Sequence, residues 1–327
     1  MTMTKGEQKE HGSIMVLDLG FSAAKFMYRD EKGMVKSCFR KTKDRDGYRF
    51  REDNYLVGEK ALLQTGSHYL RTTDELISYY PLFAGIAAEK VGMSSANALA
   101  IGLPFDLWKA ESLKQKRQAS NTIDGLKASL KLITLNDKEV SFEEVLVFPQ
   151  GLGGIKAYLA NNSTTGNILA IDIGFNTVIS SLYSCNEKEI LIGNVYYKKG
   201  LHDMSVNLLL PEIATHIGGK SLTPIEINHL VQSGSVQVGF DLVDIGPEIN
   251  AAAETYIQDL LAMIIGDLKA HGGVIFFDTI LLFGGGARLL DGKLEAKKVQ
   301  IVTLPEPEFA NARGFAIKAK EIVDASE

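Results

Sequence analysis

Residues 13–25 read SIMVLDLGFSAAK, and residues 167–177 read NILAIDIGFNT. Each segment is a short apolar run that ends in Asp-x-Gly-Phe and a small polar residue. The two aspartates, Asp18 and Asp172, lie 154 positions apart (172 − 18). An apolar run of this length followed by Asp and Gly is typical of a buried strand that enters a tight turn. One such sequence is a common turn, whereas a matched pair, each near the start of one half of the chain, indicates an internal duplication.

The two turns together predict a site for a phosphate group and a metal ion. Glycine in the turn lets backbone N–H groups come close to an anion, and aspartate holds Mg²⁺ directly or through water. Lys25 lies across the first turn from Asp18 and is suited to contact a phosphate. A surface ion pair between these two residues is the simpler interpretation, and the second copy of the motif makes it less favourable. Two such loops facing each other would hold a metal-bound polyphosphate from both sides.

Composition predicts a soluble protein with two domains. The chain has 327 residues, of which 45% are hydrophobic and 23% are charged, with a formal net charge of −5. The acidic balance does not favour direct nucleic-acid binding. No stretch reaches the roughly 18 consecutive apolar residues of a membrane span. The polar residues 1–12 predict a disordered leader and not a signal peptide. We therefore expect a cytoplasmic protein without a membrane partner.

Cysteine and histidine give no sign of a protein-bound transition metal. The chain contains two cysteines, Cys38 and Cys185, without CxxC spacing, which predicts reduced thiols in a cytosolic protein. The six histidines are scattered, with neither an HxxxH nor an HExxH arrangement. A zinc or iron–sulfur site carried by this chain alone is therefore not expected.

The pattern along the chain predicts two related α/β halves. We expect a first domain at residues 13–163, a second at 164–305 with a helical insert at about 204–270, and a C-terminal helix at 306–327 that returns to the first domain. Each half begins with a meander of strands and continues with helices and further strands. A strand pair is expected at 125–135 and 138–141. This duplication predicts a ligand between the halves.

Two further segments predict parts of the same site. Gly284, Gly285 and Gly286 follow an apolar strand, where they would let the chain pass close to a base or a phosphate; an ordinary turn before a helix is the alternative. Gln150 follows a strand that ends in Phe-Pro, and a glutamine there can orient an attacking water molecule, unless it is only a helix-entry residue. Phe21 and Phe175 occupy matched places in the two loops, where packing is their simplest role.

These segments, in this order, resemble the five nucleotide-binding signatures of the actin, Hsp70 and sugar-kinase superfamily. The resemblance covers residues 14–320 and is strongest to the ParM/StbA plasmid-segregation actins and the archaeal actin-like proteins. Residues 18–25 resemble the first phosphate loop, and residues 172–177 resemble the second. Residues 145–154 resemble the first connecting segment, and residues 309–315 resemble the second connecting helix. Residues 281–288 resemble the adenosine segment.

The resemblance implies an α/β protein with the actin-like ATPase fold, in which two duplicated RNase H-like domains flank a nucleotide cleft. It implies ATP or ADP as ligand, with Mg²⁺ held through its water shell by Asp18 and Asp172. Gln150 would orient the attacking water, and these three residues form the predicted catalytic set. The residues expected to contact the nucleotide are Gly20, Phe21, Ser22, Lys25, Gly174, Phe175, Asn176, Thr177, Gly200, Glu226, Gly284, Gly285, Gly286 and Ala287.

Two departures from the family pattern predict slow hydrolysis. Many relatives carry an acid seven residues after the second loop aspartate, where this chain has Ile179. ParM carries glutamate where this chain has Gln150, although actin has glutamine. Neither change affects the residues expected to bind the nucleotide itself.

The resemblance implies an ATPase that assembles into filaments and hydrolyses nucleotide after assembly, with other copies of the chain as its partner. Movement or positioning of DNA, such as a plasmid, would require a DNA-binding adaptor protein. Two alternatives stay open at this point. A small-molecule kinase of the same fold would need a catalytic aspartate, for which Asp106 is the candidate, and a nucleotide-gated switch would bind nucleotide without polymerising.

Overall fold

The computed structural model describes residues 13–44, 46–62, 64–112, 117–271 and 276–325. The leader expected at residues 1–12 lies outside this range. Within it, no helix combines the length and the apolar character needed to cross a membrane.

The first half of the chain forms a ten-stranded sheet in the order β3-β2-β1-β8-β10-β9-β5-β6-β4-β7. Strands β1, β2 and β3 are antiparallel neighbours, and β8 and β10 continue the sheet parallel to β1. The strands are β1 (Ile14–Leu19), β2 (Ala23–Tyr28), β3 (Glu31–Lys36), β4 (Cys38–Thr42), β5 (Tyr48–Phe50), β6 (Asp53–Val57), β7 (His68–Tyr69), β8 (Ser95–Leu103), β9 (Leu132–Leu135) and β10 (Lys138–Pro149).

The second half repeats the first five positions of that sheet. Its order is β13-β12-β11-β16-β17, with three antiparallel strands followed by two parallel ones. A separate hairpin, β14–β15, lies outside this sheet. The strands are β11 (Asn167–Ile173), β12 (Thr177–Ser184), β13 (Glu189–Tyr197), β14 (Ser235–Val238), β15 (Asp241–Asp244), β16 (Thr279–Phe283) and β17 (Gln300–Thr303). The predicted duplication of an α/β unit is confirmed by this strand order.

Helices cover both sheets. They are α1 (Glu59–Leu62), α2 (Thr73–Lys90), α3 (Phe105–Ser112), α4 (Arg117–Lys131), α5 (Leu152–Leu159), α6 (Leu201–Met204), α7 (Leu210–Glu212), α8 (Pro224–Ser233), α9 (Gly246–Ala270), α10 (Ala287–Leu290) and α11 (Ala310–Asp324), with a π-helical turn at Ser205–Leu209 and a 3₁₀ turn at Pro307–Phe309. The α2 and α4 helices bury apolar residues against the first sheet, and α9 does so against the second.

Two helices join the halves, because each packs against the sheet of the other half. Helix α5 follows the first sheet in sequence but packs Ile155 and Tyr158 against strands of the second sheet. Helix α11 follows the second sheet but packs Phe315 against strands of the first. The two helices cross at Gly153 and Gly314, where a Cβ atom on either glycine would clash with the backbone of the other helix. Only glycine permits this approach, and it brings the start of α11 next to the end of β10.

Two local predictions are wrong. Gly125 was expected in a strand, but it lies within α4, where the burial of Ile123, Leu126 and Leu130 at helical spacing outweighs the low helix propensity of glycine. The strand in this region is limited to β9. The insert expected to be helical contains the hairpin β14–β15 after α8, and Val236 of this hairpin packs into the core of the second half.

Candidate functional site

A cleft of about 520 Å³ lies where the carboxyl ends of β1 and β11 meet. Parallel strands leave such a crevice at their carboxyl ends, because the chain leaves the sheet in loops there. Both halves contribute to the lining, which consists of Asp18, Leu19, Gly20, Phe21, Ser22, Ala23, Lys25, Met34, Lys36, Leu76, Gln150, Asp172, Gly174, Phe175, Thr177, Ile179, Leu201, Asn228, Val231, Gln232, Gly284, Gly285, Arg288, Leu289 and Glu308.

The two Asp-x-Gly loops have the same backbone turn. The N–H of Gly20 donates to the carbonyl of Ala23 at 3.0 Å, and the N–H of Gly174 donates to the carbonyl of Thr177 at 2.9 Å. In both loops, the glycine carbonyl accepts a further hydrogen bond. The donor is the hydroxyl of Ser37 in the first loop, at 2.7 Å, and the backbone N–H of Leu201 in the second, at 3.1 Å. The sequence copies are therefore copies in three dimensions as well.

The residue across the hairpin from each aspartate differs between the loops. Asp18 pairs in register with Lys25, and Asp172 pairs with Ile179. Both aspartates are almost fully buried, with 4% and 9% of their surface exposed, respectively. The first loop therefore carries a cation beside its carboxylate, whereas an aliphatic side chain occupies that place in the second.

Gln150 reaches the first aspartate. Its Nε2 donates to Asp18 Oδ1 at 3.1 Å, and its backbone N–H donates to the carbonyl of Leu103 at 2.7 Å. Gly151, the next residue, has φ of +93°, a conformation that favours glycine. This turn aims the Gln150 side chain into the cleft and away from α5.

The surroundings of Asp172 disfavour the ionised form of its carboxyl group. Burial, and then the nearby carboxylate of Asp18, raise the pKa of Asp172 to about 6, while a hydrogen bond from Asn311 and the charge of Lys25 act in the opposite direction. The buried carboxylates of Asp18 and Asp172 repel each other when both are ionised. A divalent cation bound between them would relieve this repulsion.

Asn311 is a site residue that sequence analysis missed. It is almost fully buried; its Nδ2 donates to Asp172 Oδ2 at 2.6 Å, and its Oδ1 accepts from the N–H of Gly151 at 3.2 Å. The available signal was an asparagine between two alanines in the first turn of an amphipathic helix, within the segment 309–315 that resembles the second connecting helix. It was not used because only the tertiary structure places the first turn of α11 beside the second loop.

The glycine segment after β16 packs tightly against the second loop. Gly284 has φ of +87°, and a Cβ atom there would clash with Asp172 Oδ1 and with the backbone of Ile173. Gly284 and Gly285 line the cleft. Gly286 and Ala287 lie behind that wall: the N–H of Gly286 donates to the carbonyl of Ile173 at 2.8 Å, and Ala287 is fully buried.

Some of the remaining predicted residues line the cleft, and others lie behind the loops that form it. Ser22 and Thr177 line the cleft, and Phe21 does so with only 7% of its surface exposed, since it also packs into the first core. Gly200 supports the second loop from behind, where a Cβ atom would clash with the carbonyl of Gly174. Asn176 lines a different cavity of about 550 Å³ on the other side of the second loop.

Phe175 borders both cavities and lies at 5.6 Å from Tyr69 and 5.3 Å from His202, measured between ring centroids. It therefore packs between the two halves, as its simplest interpretation predicted.

Glu226 is placed away from the cleft lining. Its carboxylate accepts hydrogen bonds from the backbone and the hydroxyl of Thr223 and so caps the start of α8. The face of α8 that lines the cleft carries Asn228, Val231 and Gln232 instead. The position of Glu226 therefore does not support the predicted nucleoside contact, because helical periodicity turns it to another face.

Arg288, the last residue of the segment that resembles the adenosine segment, pairs with Glu308, and this pairing was not predicted from the sequence. They line the cleft at the end near the glycine segment and form an ion pair, with Arg288 Nη2 at 2.9 Å from Glu308 Oε1. They come from α10 and from the turn before α11, and no local pattern links them.

Comparison with known proteins agrees with this architecture. Residues 17–153 match the family described as the N-terminal domain of actin-like proteins. Among solved structures, the non-polymerisable quadruple mutant of pCBH ParM superposes with a TM-score of 0.72 at 19% identity, over 94% of this chain and 99% of that chain. No curated protein sequence matches the chain.

Two further structures are similar over nearly their whole length. The ParM of a 15-stranded filament from Clostridium botulinum has a TM-score of 0.69 at 21% identity, over 95% of this chain and 100% of that chain. Ta0583, an archaeal actin homologue in complex with ADP, has a TM-score of 0.69 at 17% identity, over 94% of this chain and 99% of that chain. At these identities the likeness establishes the fold. The chain has the actin-like fold, and the resemblance inferred from its sequence is confirmed at that level.

Proposed function

We propose that this protein is a cytoplasmic actin-like ATPase that binds Mg·ATP between its halves, assembles into filaments with other copies of itself and hydrolyses ATP slowly. Its role would be to segregate or position DNA, such as a plasmid, through a DNA-binding adaptor protein. The observation that carries the proposal is the pair of identical Asp-x-Gly turns on either side of one cleft, with a lysine on one of them.

The residues of the cleft suit a magnesium-bound nucleotide. Asp18 and Asp172 offer the hard oxygen atoms that Mg²⁺ prefers, and Mg²⁺ usually keeps several water ligands while bound to one or two carboxylates and the phosphates. Burial, and then the charge of Asp18, raise the pKa of Asp172, and a cation bound beside it would stabilise the ionised carboxylate.

Each cleft residue has a chemical role under this proposal. Lys25 would contact a phosphate oxygen, and the turns at Gly20 and Gly174 would bring backbone N–H groups near the phosphates. Bound Mg²⁺ would neutralise charge on the phosphates. Gln150 donates through Nε2 to Asp18, which leaves its Oε1 to accept a hydrogen bond from the attacking water.

The nucleoside would lie toward the glycine segment. Gly284 and Gly285 present no side chain on that wall, and Val231 and Leu289 provide apolar surface beside them. The ADP complex of the similar archaeal actin homologue supports an adenine nucleotide as the ligand.

Slow hydrolysis follows from the chemistry of the water-facing residues. A glutamine amide orients water but cannot remove its proton, and Ile179 provides no acid in the second loop. A filament would therefore persist after assembly until its nucleotide is hydrolysed. The filament formed by the similar ParM from Clostridium botulinum supports assembly as the output of the ATPase.

The kinase alternative is less well supported. Asp106, the candidate base, lies exposed at the start of α3 and accepts a hydrogen bond from the hydroxyl of Tyr197 at 2.9 Å. It is not part of the cleft lining. A base in that position could not reach a hydroxyl acceptor bound beside the two loops.

The proposal is tested by right-angle light scattering over a protein concentration series, with Mg·ATP, with ATP and a chelator, and without nucleotide, while phosphate release is followed in the same samples. A nucleotide-dependent rise above a critical concentration, with phosphate appearing after it, is expected. The variant Asp172→Ala is the control, and its rise in scattering should require nucleotide concentrations at least tenfold higher than the wild type. Flat scattering despite tight ATP binding would contradict the filament proposal and favour a switch. ADP that appears only when a sugar or another hydroxyl acceptor is added would favour a kinase.

A further inference from the structure

Asn311 connects the second loop to the turn that follows β10 through both ends of its side-chain amide. Its Nδ2 donates to Asp172 in the second half, and its Oδ1 accepts from Gly151 at the end of the first. An N–H faces one end of the amide and a carboxylate faces the other, so the oxygen and nitrogen of Asn311 can be assigned from the chemistry of their partners. Burial of an amide costs free energy unless both ends are paired, and here both ends are paired.

The backbone holds Asn311 in this place. The crossing of α5 and α11 puts the carbonyl and Cα of Asn311 against Gly153, where a Cβ atom would clash with them. Gly153 lies two residues after Gly151, so the same close crossing fixes both ends of the contact. The start of α11 therefore cannot move away from the turn that follows β10 without separating the two helices.

The contacts of Asn311 complete a path between the two carboxylates. Asp172 bonds to Asn311 at 2.6 Å, Asn311 bonds to Gly151 at 3.2 Å, and Gly151 is joined covalently to Gln150. Gln150 in turn bonds to Asp18 at 3.1 Å. The residue proposed to orient water and the carboxylate proposed to hold Mg²⁺ therefore share one anchor.

We infer that Asn311 is a positioning residue for the ATPase: its amide sets the orientation of the Asp172 carboxylate and, through Gly151, the orientation of Gln150. This inference rests on the proposed function, because the two groups it positions are those assigned to metal binding and to water. Asn311 acts through them and does not itself contact the reacting atoms. Its loss should therefore affect metal-dependent nucleotide binding and hydrolysis together.

Two variants separate the two contacts. Asn311→Ala removes both hydrogen bonds. Asn311→Asp has the same shape, keeps an oxygen for the N–H of Gly151 and places a second carboxylate against Asp172. In nucleotide-free protein, amide hydrogen exchange at Gly151, measured by NMR, should be at least tenfold faster in Asn311→Ala and close to wild type in Asn311→Asp. Thermal unfolding of both variants checks that the fold is retained, and the isosteric Asp variant serves if Ala does not fold.

Hydrolysis rate and Mg²⁺-dependent nucleotide affinity are then measured in the same two variants. Single-turnover hydrolysis should be about tenfold slower in Asn311→Ala, but adding this change to Gln150→Ala should slow the reaction less than twofold further, because the positioned group is already absent. The Mg²⁺-dependent part of the nucleotide affinity should fall about tenfold in Asn311→Asp, while affinity measured in a chelator should stay within twofold. The control is Asn162→Ala, which removes an exposed amide that donates to the carbonyl of Tyr158 outside the cleft.

Three outcomes would overturn the inference: unchanged Gly151 exchange in Asn311→Ala, a single-turnover rate within twofold of wild type, or effects fully additive with Gln150→Ala. Failure of the wild-type protein to bind any nucleotide would instead remove the proposed function. The Gly151 exchange result would still decide whether Asn311 fixes the turn, so the two failures can be distinguished.

Discussion

The two Asp-x-Gly loops have the same backbone turn and different surroundings. Both begin at a strand end, both close through a Gly N–H to the carbonyl three residues on, at 3.0 and 2.9 Å, and both present a buried aspartate. The first aspartate has Lys25 across the hairpin and Gln150 as donor. The second has Ile179 across the hairpin and Asn311 as donor.

This comparison shows which features a duplicated loop must keep. The turn is set by backbone hydrogen bonds and by the need for glycine, so both copies retain it. The side chains around the aspartate differ, because the backbone turn does not depend on them. The two loops are therefore asymmetric. Lys25 lies on the first loop, and Asp172, the carboxyl group whose pKa is raised, lies on the second.

The largest expected effect is on the free energy of unfolding, and it concerns the residue that follows the strand beside each loop. Strand β16 ends at Phe283 and is followed by Gly284, which lies close to Asp172, whereas the matching strand β8 ends at Leu103 and is followed by Pro104. Gly284→Ala should lower the free energy of unfolding by about 4 kcal/mol, because the new methyl group clashes with backbone and φ is +87°. Gly285→Ala is the matched control, since no atom lies within 4 Å of its added Cβ. Equal stability of both variants in urea unfolding would show that the second loop does not depend on this packing.

The next effect concerns the donor to the first loop. Gln150→Ala should slow single-turnover hydrolysis roughly a hundredfold, or about 2.7 kcal/mol, while filaments still form or last longer. The physical reason is the loss of the amide that would orient water beside Asp18. Phosphate release and light scattering recorded in the same sample check this. Hydrolysis at the wild-type rate would remove Gln150 from the mechanism.

The third prediction concerns the asymmetry of charge. The pKa of Asp172 is raised in the folded protein to about 6, so its contribution to stability is present at low pH and is lost as pH rises through that value. Asp172→Asn should therefore raise the free energy of unfolding of nucleotide-free protein by about 2 kcal/mol at pH 7.5 and change it little at pH 4. Asp18→Asn should give a smaller gain, because Lys25 faces that carboxylate. Urea unfolding at both pH values measures the difference, and a pH-independent effect would contradict it.

The smallest expected effect is on binding. Asp172→Ala should leave the fold intact and weaken Mg·nucleotide binding by at least tenfold, which corresponds to about 1.4 kcal/mol. Calorimetric titration with and without Mg²⁺ measures it, and the reduction should largely disappear in a chelator. An unchanged affinity in the presence of Mg²⁺ would exclude Asp172 from the metal site and leave the first loop as the single anchor.

Much of the fold could be predicted from the sequence because its decisive elements are local. The strands around Asp18 and Asp172 show apolar runs that end in turn residues, and the duplication is visible as a repeated motif. The helix around Gly125 and the hairpin at 235–244 were mispredicted, because their patterns gain meaning only from the surfaces they cover.

The cleft itself was predictable only in part. Residues within the two loops, such as Gly20 and Gly174, could be identified because glycine and aspartate in a turn have direct chemical meaning. Asn311 and Arg288 lie in segments that the resemblance identified, but their contacts with Asp172 and Glu308 could not be predicted, since each partner lies outside that segment. Glu226 lies on a face of α8 outside the cleft lining, and the sequence did not show which face of this helix would turn toward the cleft; its nucleoside contact stays a prediction.

Two α/β halves, each beginning with an aspartate turn, can be inferred from the chain alone, because short-range periodicity and glycine act within a few residues. The exchange of α5 and α11 between the halves, and their crossing at Gly153 and Gly314, follow from packing in three dimensions. This crossing places Asn311 between the second loop and the turn after β10. Such contacts between distant elements depend on packing in space and cannot be inferred from local periodicity.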